Sequence, residues 1–403
     1  MEMPVVLTAL RRNKAGVLLI VLQVALTVAI VSNSLLLAQQ QVQRIHRPTG
    51  LDEAAILSFS NIWTGDRQDL KSRLQTDLAA LRSMPGVVDV VATEGLPLRG
   101  GGFSALITRH NGDRSGYTTA LYPVDEHALH TLGLHMVAGR WFNSNEIIDW
   151  TGGQESPDTA PVVVVTQSLA RALFPRGDAL GKVVFFDANA MTIVGIVERM
   201  QAPTLHGQDE ALENSVLVPY LWAAPDPLYV MRVRPQQRDA VLQATQRMLF
   251  QLHRDRVITG IQTFPETRAN AYRPFRAMSL ILTAVSTVLL ITTAVGIVGL
   301  TSFWVTQRRR QIGIRRALGA RRLHILRYFH GENLLVVGTG ALVGAVFAVG
   351  ANLLMVRQFE MIRMPGEFLL AGIVLVLCLG QLSVLWPAMR AAAVSPASAA
   401  RTV

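Results

Sequence analysis

Four stretches of this 403-residue chain are long, apolar and free of ionisable side chains: 15–38, 277–305, 334–356 and 368–389. At 1.5 Å per residue the shortest reaches ~33 Å as a helix, enough for the ~30 Å hydrocarbon core of a bilayer. One such window is compatible with a buried core helix. Four of them, in a chain of mean hydropathy +0.32, predict a multi-pass α-helical membrane protein. The first window follows Arg11, Arg12 and Lys14, as a signal peptide would. Its apolar run is longer than an h-region, however, and Leu36-Leu37-Ala38 lacks the small-residue pattern of a cleavage site, so it reads as a retained anchor.

The spans divide the net charge of +10 very unevenly. Residues 1–14 carry +2, 39–276 carry −1, 306–333 carry +7, 357–367 carry 0 and 390–403 carry +2. The positive-inside rule then gives one topology: both termini (1–14 and 390–403) and the segment 306–333 face the cytoplasm, while the domain 39–276 and the loop 357–367 face outward. The high isoelectric point is thus a topology signal, and a nucleic-acid partner is not expected, because no aromatic-rich reading surface accompanies the arginines. The one cysteine, Cys378, lies in the fourth span, so the outer domain is expected to fold without a disulfide.

Residues 39–276 change character. Short β-rich runs (GVVDVVAT, PVVVVTQ, KVVFF, MTIVGIV, SVLVPY, LYVMRVR) alternate with amphipathic stretches such as RQDLKSRLQTDLAALRSM and QRDAVLQATQRMLFQLHRD. The pattern predicts a large α+β domain between the first and second spans. Its two subdomains are placed at 45–98 plus 225–270 and, inserted between these, at 99–224. Catalytic signals are weak. GDALGKV at 177–183 is one residue short of a phosphate loop and has Val183 where a Ser or Thr would hold magnesium. His127, His130 and His135 are spaced as metal ligands can be, but no further ligand completes a set, and no metal or cofactor bound by this chain is expected. No hydrolase motif is credible either, so the chain is not expected to be an enzyme.

The segment RRRQIGIRRALGARRLHILR (308–327) holds eight arginines and no acid. On a helix, Arg308, Arg309, Arg315 and Arg316 share one face, while Ile314, Ala317 and Leu318 lie on the other. Gly319 then permits a turn into a helix that enters the third span. Two roles suit such an element: an interfacial helix held by anionic membrane lipid, or a docking helix whose apolar side chains enter a partner's groove.

The motif within this segment resembles the REIGIRRALGA signature that follows the second span in MacB-like and FtsX-like ABC transporter permeases. The likeness covers Arg310, Ile312, Gly313, Ile314, Arg315, Arg316, Ala317, Leu318, Gly319 and Ala320, and departs at Gln311, where the family usually has Glu. ALRRNKAGVLLIVLQVALTVAIV, HTLGLHMVAGRWF, VVVVTQSLARALFPRGDALGKVVFF and PAMRAAAVSPASAAR are similar to other parts of the family. The resemblance implies a bacterial inner-membrane permease subunit that pairs with a second permease, as a homodimer or a heterodimer. A separate cytoplasmic ABC ATPase dimer, carrying ATP and Mg2+, would dock on residues 310–320 and drive changes in the periplasmic domain. Export of a peptide, lipopeptide, antibiotic or similar compound is the leading implication. An FtsX-like complex controlling a periplasmic hydrolase and a lipoprotein-extracting permease stay open, as does the presence of a periplasmic adaptor and outer-membrane channel. Gln311 removes a charge that would bridge an arginine or the ATPase, which raises the heterodimer alternative. Within the spans, Gln23, Thr27 and Ser34 share one helical face, and Gly340 and Gly344 form a GxxxG pair. Both features predict helix packing, against a second subunit or against the chain's own helices.

Overall fold

The computed structural model describes residues 14–65, 69–113, 115–150, 160–186, 189–204, 211–318, 321–359 and 363–393. The chain forms two compact units, Met1–His46 with Pro274–Val403, and Arg47–Arg273.

The first unit is helical. Its long helices are α1 (Lys14–Ile45), α7 (Arg273–Gln307), α9 (Arg322–Phe359) and α10 (Gly366–Ala392), with the short α8 (Arg309–Ala317) between α7 and α9. The four long helices are each long and apolar enough to cross a membrane. They extend past the apolar windows: α1 continues seven residues beyond Ala38, to Ile45. Helix α1 packs against the other three spans. A Cβ at Gly340 would stand 2.7 Å from Val24, and one at Gly344 would stand 2.7 Å from the carbonyl oxygen of Ala25, so these glycines of α9 permit backbone-close contact with α1. Thr27, fully buried, shares a 2.8 Å hydrogen bond with Thr293 of α7. Ile20, Val24 and Val28 join Ile297, Val337, Ala341, Val376 and Val384 in one apolar core.

The second unit holds two sheets. The first has the order β12-β1-β11-β2, built from β1 (Ile56–Trp63), β2 (Val87–Thr93), β11 (Leu228–Val233) and β12 (Arg256–Thr263), all pairings antiparallel. Helices α2 (Leu70–Arg82) and α5 (Arg238–Leu252) cover one face, burying Leu74, Leu78, Leu81, Val241 and Leu249 against Leu57, Phe59, Val90 and Met231. This is the split β-α-β arrangement of ferredoxin-like folds, with all of 94–227 inserted between its second and third strands. The insertion contains β3 (Phe103–Thr108), β4 (Tyr117–Val124), α3 (Ala128–Leu132), β5 (Met136–Gly139), β6 (Ile148–Trp150), β7 (Val162–Thr166), α4 (Gln167–Leu173), β8 (Val183–Phe186), β9 (Asn189–Val197) and β10 (Ser215–Trp222). The path β4-β3-β8-β9-β7-β10 closes on itself through the β4–β10 pairing, giving a six-stranded barrel filled by Ile107, Val163, Val165, Ile193, Val216 and Val218. Helix α6 (Phe264–Ala271) follows β12 and opens with a capping box, Thr263 with Glu266.

A buried charge network fixes the first sheet to its helices. Arg256, on β12, makes a two-pronged contact of 2.8 and 3.0 Å with Asp77 on α2, and both side chains are fully buried. Tyr229 donates its hydroxyl to the same carboxylate at 2.7 Å, and the guanidinium stacks 4.1 Å over Trp63. Burial pushes the Tyr229 hydroxyl well above its usual range, with the Asp77 charge adding to the effect, so it stays a donor.

A second network joins the sheet to the insertion. Asp89 on β2 receives Arg82 at 3.2 Å, His127 at 3.1 Å and His130 at 3.4 Å, and Arg82 reaches Asp125 at 3.5 Å. The His127 and His130 spacing thus serves a carboxylate across a subdomain seam, while His135 is exposed. The GDALGKV segment is a turn into β8: Gly177 and Gly181 have positive φ, and the Lys182 amide donates to Ala179. Burial pushes Asp125 up to about 6, against the pull of Arg82 and His127. Burial also opposes ionisation of Asp89, but the Val90 amide and the two histidines outweigh it and hold that carboxyl below the usual range.

Two outcomes follow from these networks. Asp77→Ala leaves Arg256 buried without a counter-charge, and should destabilise the Arg47–Arg273 unit by about 3–5 kcal/mol in chemical unfolding of the detergent-solubilised chain. For Asp125 the folded pKa lies above the unfolded one, so its contribution is complete below about pH 4 and is lost as pH rises through about 6. Asp125→Asn should therefore stabilise the protein by about 1–3 kcal/mol at pH 7.5 and by nothing measurable at pH 4, read as the shift in unfolding midpoint between the two pH values.

Candidate functional site

One residue, Arg308, separates the end of α7 from the start of α8, and the hydrogen-bond ladder passes through it. The Arg308 amide donates to the Trp304 carbonyl at 3.0 Å, and the Ile312 amide to the Arg308 carbonyl at 2.9 Å. The helix is mounted on the bundle by one side. Ile312 is 6% exposed and packs with Trp304, Ile325, Phe329, Ala388 and Ala391; Gly313 is buried beside it. Arg308 anchors the base, its Nη1 donating to both carboxylate oxygens of Glu332 (3.1 and 2.8 Å) and to the Tyr328 hydroxyl (3.1 Å).

The other side is open. Arg309, Arg310, Gln311, Ile314, Ala317 and Leu318 are exposed, Ile314 by 52% and Leu318 by 83%. Two bulky apolar side chains one turn apart, bordered by cations, form a small patch suited to a complementary groove. The signature residues therefore divide: Ile312 and Gly313 attach the helix, whereas Arg310, Gln311, Ile314, Ala317 and Leu318 face away from the bundle. The backbone of Arg315 and Arg316 lies in α8 while their side chains fall outside the described residues, as do Gly319 and Ala320 entirely.

The polar face of α1 meets the chain's own helices. Gln23 lies against Gly296 of α7, where a Cβ would come 3.0 Å from its Oε1; Thr27 meets Thr293; and Ser34 is buried. Gly340 and Gly344 meet α1 as described above. Residues that sequence reasoning passed over are Trp304, Tyr328 and Glu332. The signal for Glu332 was present, since it is the one acid among eight arginines in 306–333, standing two residues before an apolar window.

Comparison with known proteins places these features in a family. Residues 15–248 match the model of the MacB-like periplasmic core domain, and residues 283–396 match that of the FtsX-like permease C-terminal domain. The macrolide export ATP-binding/permease protein MacB of Neisseria meningitidis is 26% identical over 251 residues, covering 59% of this chain and 36% of its own length. The pyoverdine export ATP-binding/permease protein PvdT of Pseudomonas syringae is 26% identical over 341 residues, covering 80% of this chain and 47% of its own. This chain thus spans between about a third and a half of the curated relatives it matches. A crystal structure of the periplasmic region of MacB from Actinobacillus actinomycetemcomitans aligns with 57% of this chain and 99% of its own, at 18% identity and a TM-score of 0.35. With the core-domain model covering more than half of its residues and the permease model most of the remainder, the chain belongs to the MacB-like, FtsX-like family of ABC transporter permeases, which are multi-pass proteins of the inner membrane.

Proposed function

We propose that this chain is the membrane-spanning part of a MacB-type transporter that converts ATP hydrolysis by a cytoplasmic ATPase into movement of the periplasmic Arg47–Arg273 unit. The observation that carries this reading is the mounting of α8: one side is fixed to the bundle through Ile312 and Arg308, and the other presents Ile314 and Leu318 outward among arginines. A helix that served only as a lipid anchor would lay these side chains in the interface. A docking helix needs the same patch together with a stiff attachment, and Ile312 and Arg308 supply one. The ATPase, with its ATP and Mg2+, is a partner subunit, and a second permease completes the pair. Gln311 is exposed, and among the described residues of this segment Arg308 pairs with Glu332.

Two relatives are named for export of a macrolide and of pyoverdine, which supports export of a peptide, lipopeptide, antibiotic or similar compound here. The match of residues 15–248 to the MacB-like periplasmic core domain favours export over an FtsX-like role in hydrolase control. A periplasmic adaptor and an outer-membrane channel would complete the route.

Co-expression with a candidate P-loop ABC ATPase from the same genome tests the docking role. Ile314→Asp with Leu318→Asp should reduce ATPase capture by more than about 100-fold, since each side chain buries an apolar surface worth ~1.5–3 kcal/mol, while leaving the chain in the membrane. Undiminished capture would refute docking on α8. In a Cys378→Ala background, a cysteine at Leu318 should react with a membrane-impermeant maleimide only in inside-out vesicles, and one at the exposed Leu180 only in right-side-out spheroplasts. Labelling of both from one side would overturn the topology.

A further inference from the structure

The attachment of α8 raises a mechanical question. A short helix that continues the ladder of α7 can be pushed only as far as its joint is stiff. Along its 35 residues the buried positions are Thr293, Ile297, Thr301 and Trp304, one narrow stripe toward the end nearest α8. Within this chain, force applied to α8 passes from α7 to the other helices along that one stripe.

A second route leads through Arg308. Its guanidinium holds both oxygens of Glu332, bonds the Tyr328 hydroxyl and lies 5.7 Å over the Trp304 ring. Glu332 is 1% exposed and sits on α9. The next residue, Asn333, donates its amide to the Gly380 carbonyl of α10 at 3.0 Å, so the same turn of α9 is tied onward to the fourth span. A carboxylate this deeply buried is tolerated when paired and is costly when bare, so the contact is discrete rather than gradually deformable.

We propose that Arg308 and Glu332 form the joint that makes α8 and α9 move as one body, delivering displacement of α8 to the third span instead of letting the chain bend between α7 and α8. Arg308 is in this sense a positioning residue. The proposal rests on the docking role of α8, but the joint is testable without any ATPase.

The full chain, with Cys378→Ala and nitroxide labels at Leu318→Cys and Leu342→Cys, is reconstituted in lipid nanodiscs and the distance between the labels measured by pulsed electron resonance. The parent should show one narrow distribution. Glu332→Gln should broaden it and add a mobile component at position 318, and the exchange Arg308→Glu with Glu332→Arg should restore the narrow form. If Glu332→Gln does not accumulate in the membrane, Arg308→Gln gives the same reading from the other side. An unchanged distribution in the neutralised variant overturns the proposal. So does broadening that the charge exchange fails to reverse, because that outcome assigns the effect to lost packing. Failure of the docking role would appear instead as ATPase capture insensitive to Ile314→Asp with Leu318→Asp, with the label distances still reporting the joint.

Discussion

A bilayer interior offers polar groups no water, so a hydrogen-bonding side chain in a span gains by finding a partner inside the protein. That constraint organises the helical unit more firmly than apolar packing does, because lipid tails are as apolar as leucine and supply no preference for one helix neighbour over another. Thr27 finds Thr293, the Asn33 amide reaches the Ala348 carbonyl at 3.2 Å, His330 shares a 2.7 Å bond with Gln381, and Asn333 reaches Gly380. These contacts set the register of α1 on α7 and α9, and of α9 on α10. Gly340 and Gly344 then let α1 and α9 approach closely enough for the bonds to form. Each glycine would be of little use without a polar contact to hold the register that brings it opposite Val24 or Ala25.

The four spans were legible because hydropathy over some twenty residues is a strong signal with few competing explanations. The α+β character of the second unit was also legible, carried by runs such as VVVVT and VVDVVAT that are buried almost throughout. Strands β1, β4 and β12 left weaker traces, each for a physical reason. In β1 the buried Ser58 and Asn61 interrupt the apolar run, and they are polar because Arg99 and Arg256 reach them at 2.8 and 3.5 Å. Strand β12 carries Gly260 at positive φ beside a register shift against β1, and the Gly260 carbonyl accepts from Arg99. Strand β4 holds Pro123, a residue that argues against a strand interior when read alone. Barrel closure through the β4–β10 pairing is a contact between residues about a hundred apart, which no local pattern encodes.

The site shows a similar division. Periodicity exposed the outward side of α8, because Ile314, Ala317 and Leu318 stand out against arginines at helical spacing. It could not show that Ile312 turns inward, since that depends on Ile325 and Phe329 of the following helix and on Ala388 and Ala391 near the chain's end. Glu332 was visible as a lone acid, but its partner among eight arginines was not, because the choice of Arg308 follows from how α7 and α9 lie together.

The two buried ion pairs show why similar chemistry serves different ends. Asp77 and Arg256 are closed off by Tyr229 and Trp63 within a sheet-and-helix layer whose elements are also joined by a large apolar core, so the pair adds specificity to a contact that already exists. Arg308 and Glu332 stand at the junction of α7 and α8 beside Trp304 and Tyr328, and the pair joins Ile312 in connecting α8's base to α9. Removal of the first partner would be felt as lost stability spread over a whole layer. Removal of the second concentrates its effect at one hinge residue, because the helices on either side keep their own backbone hydrogen bonds and only their mutual angle is freed.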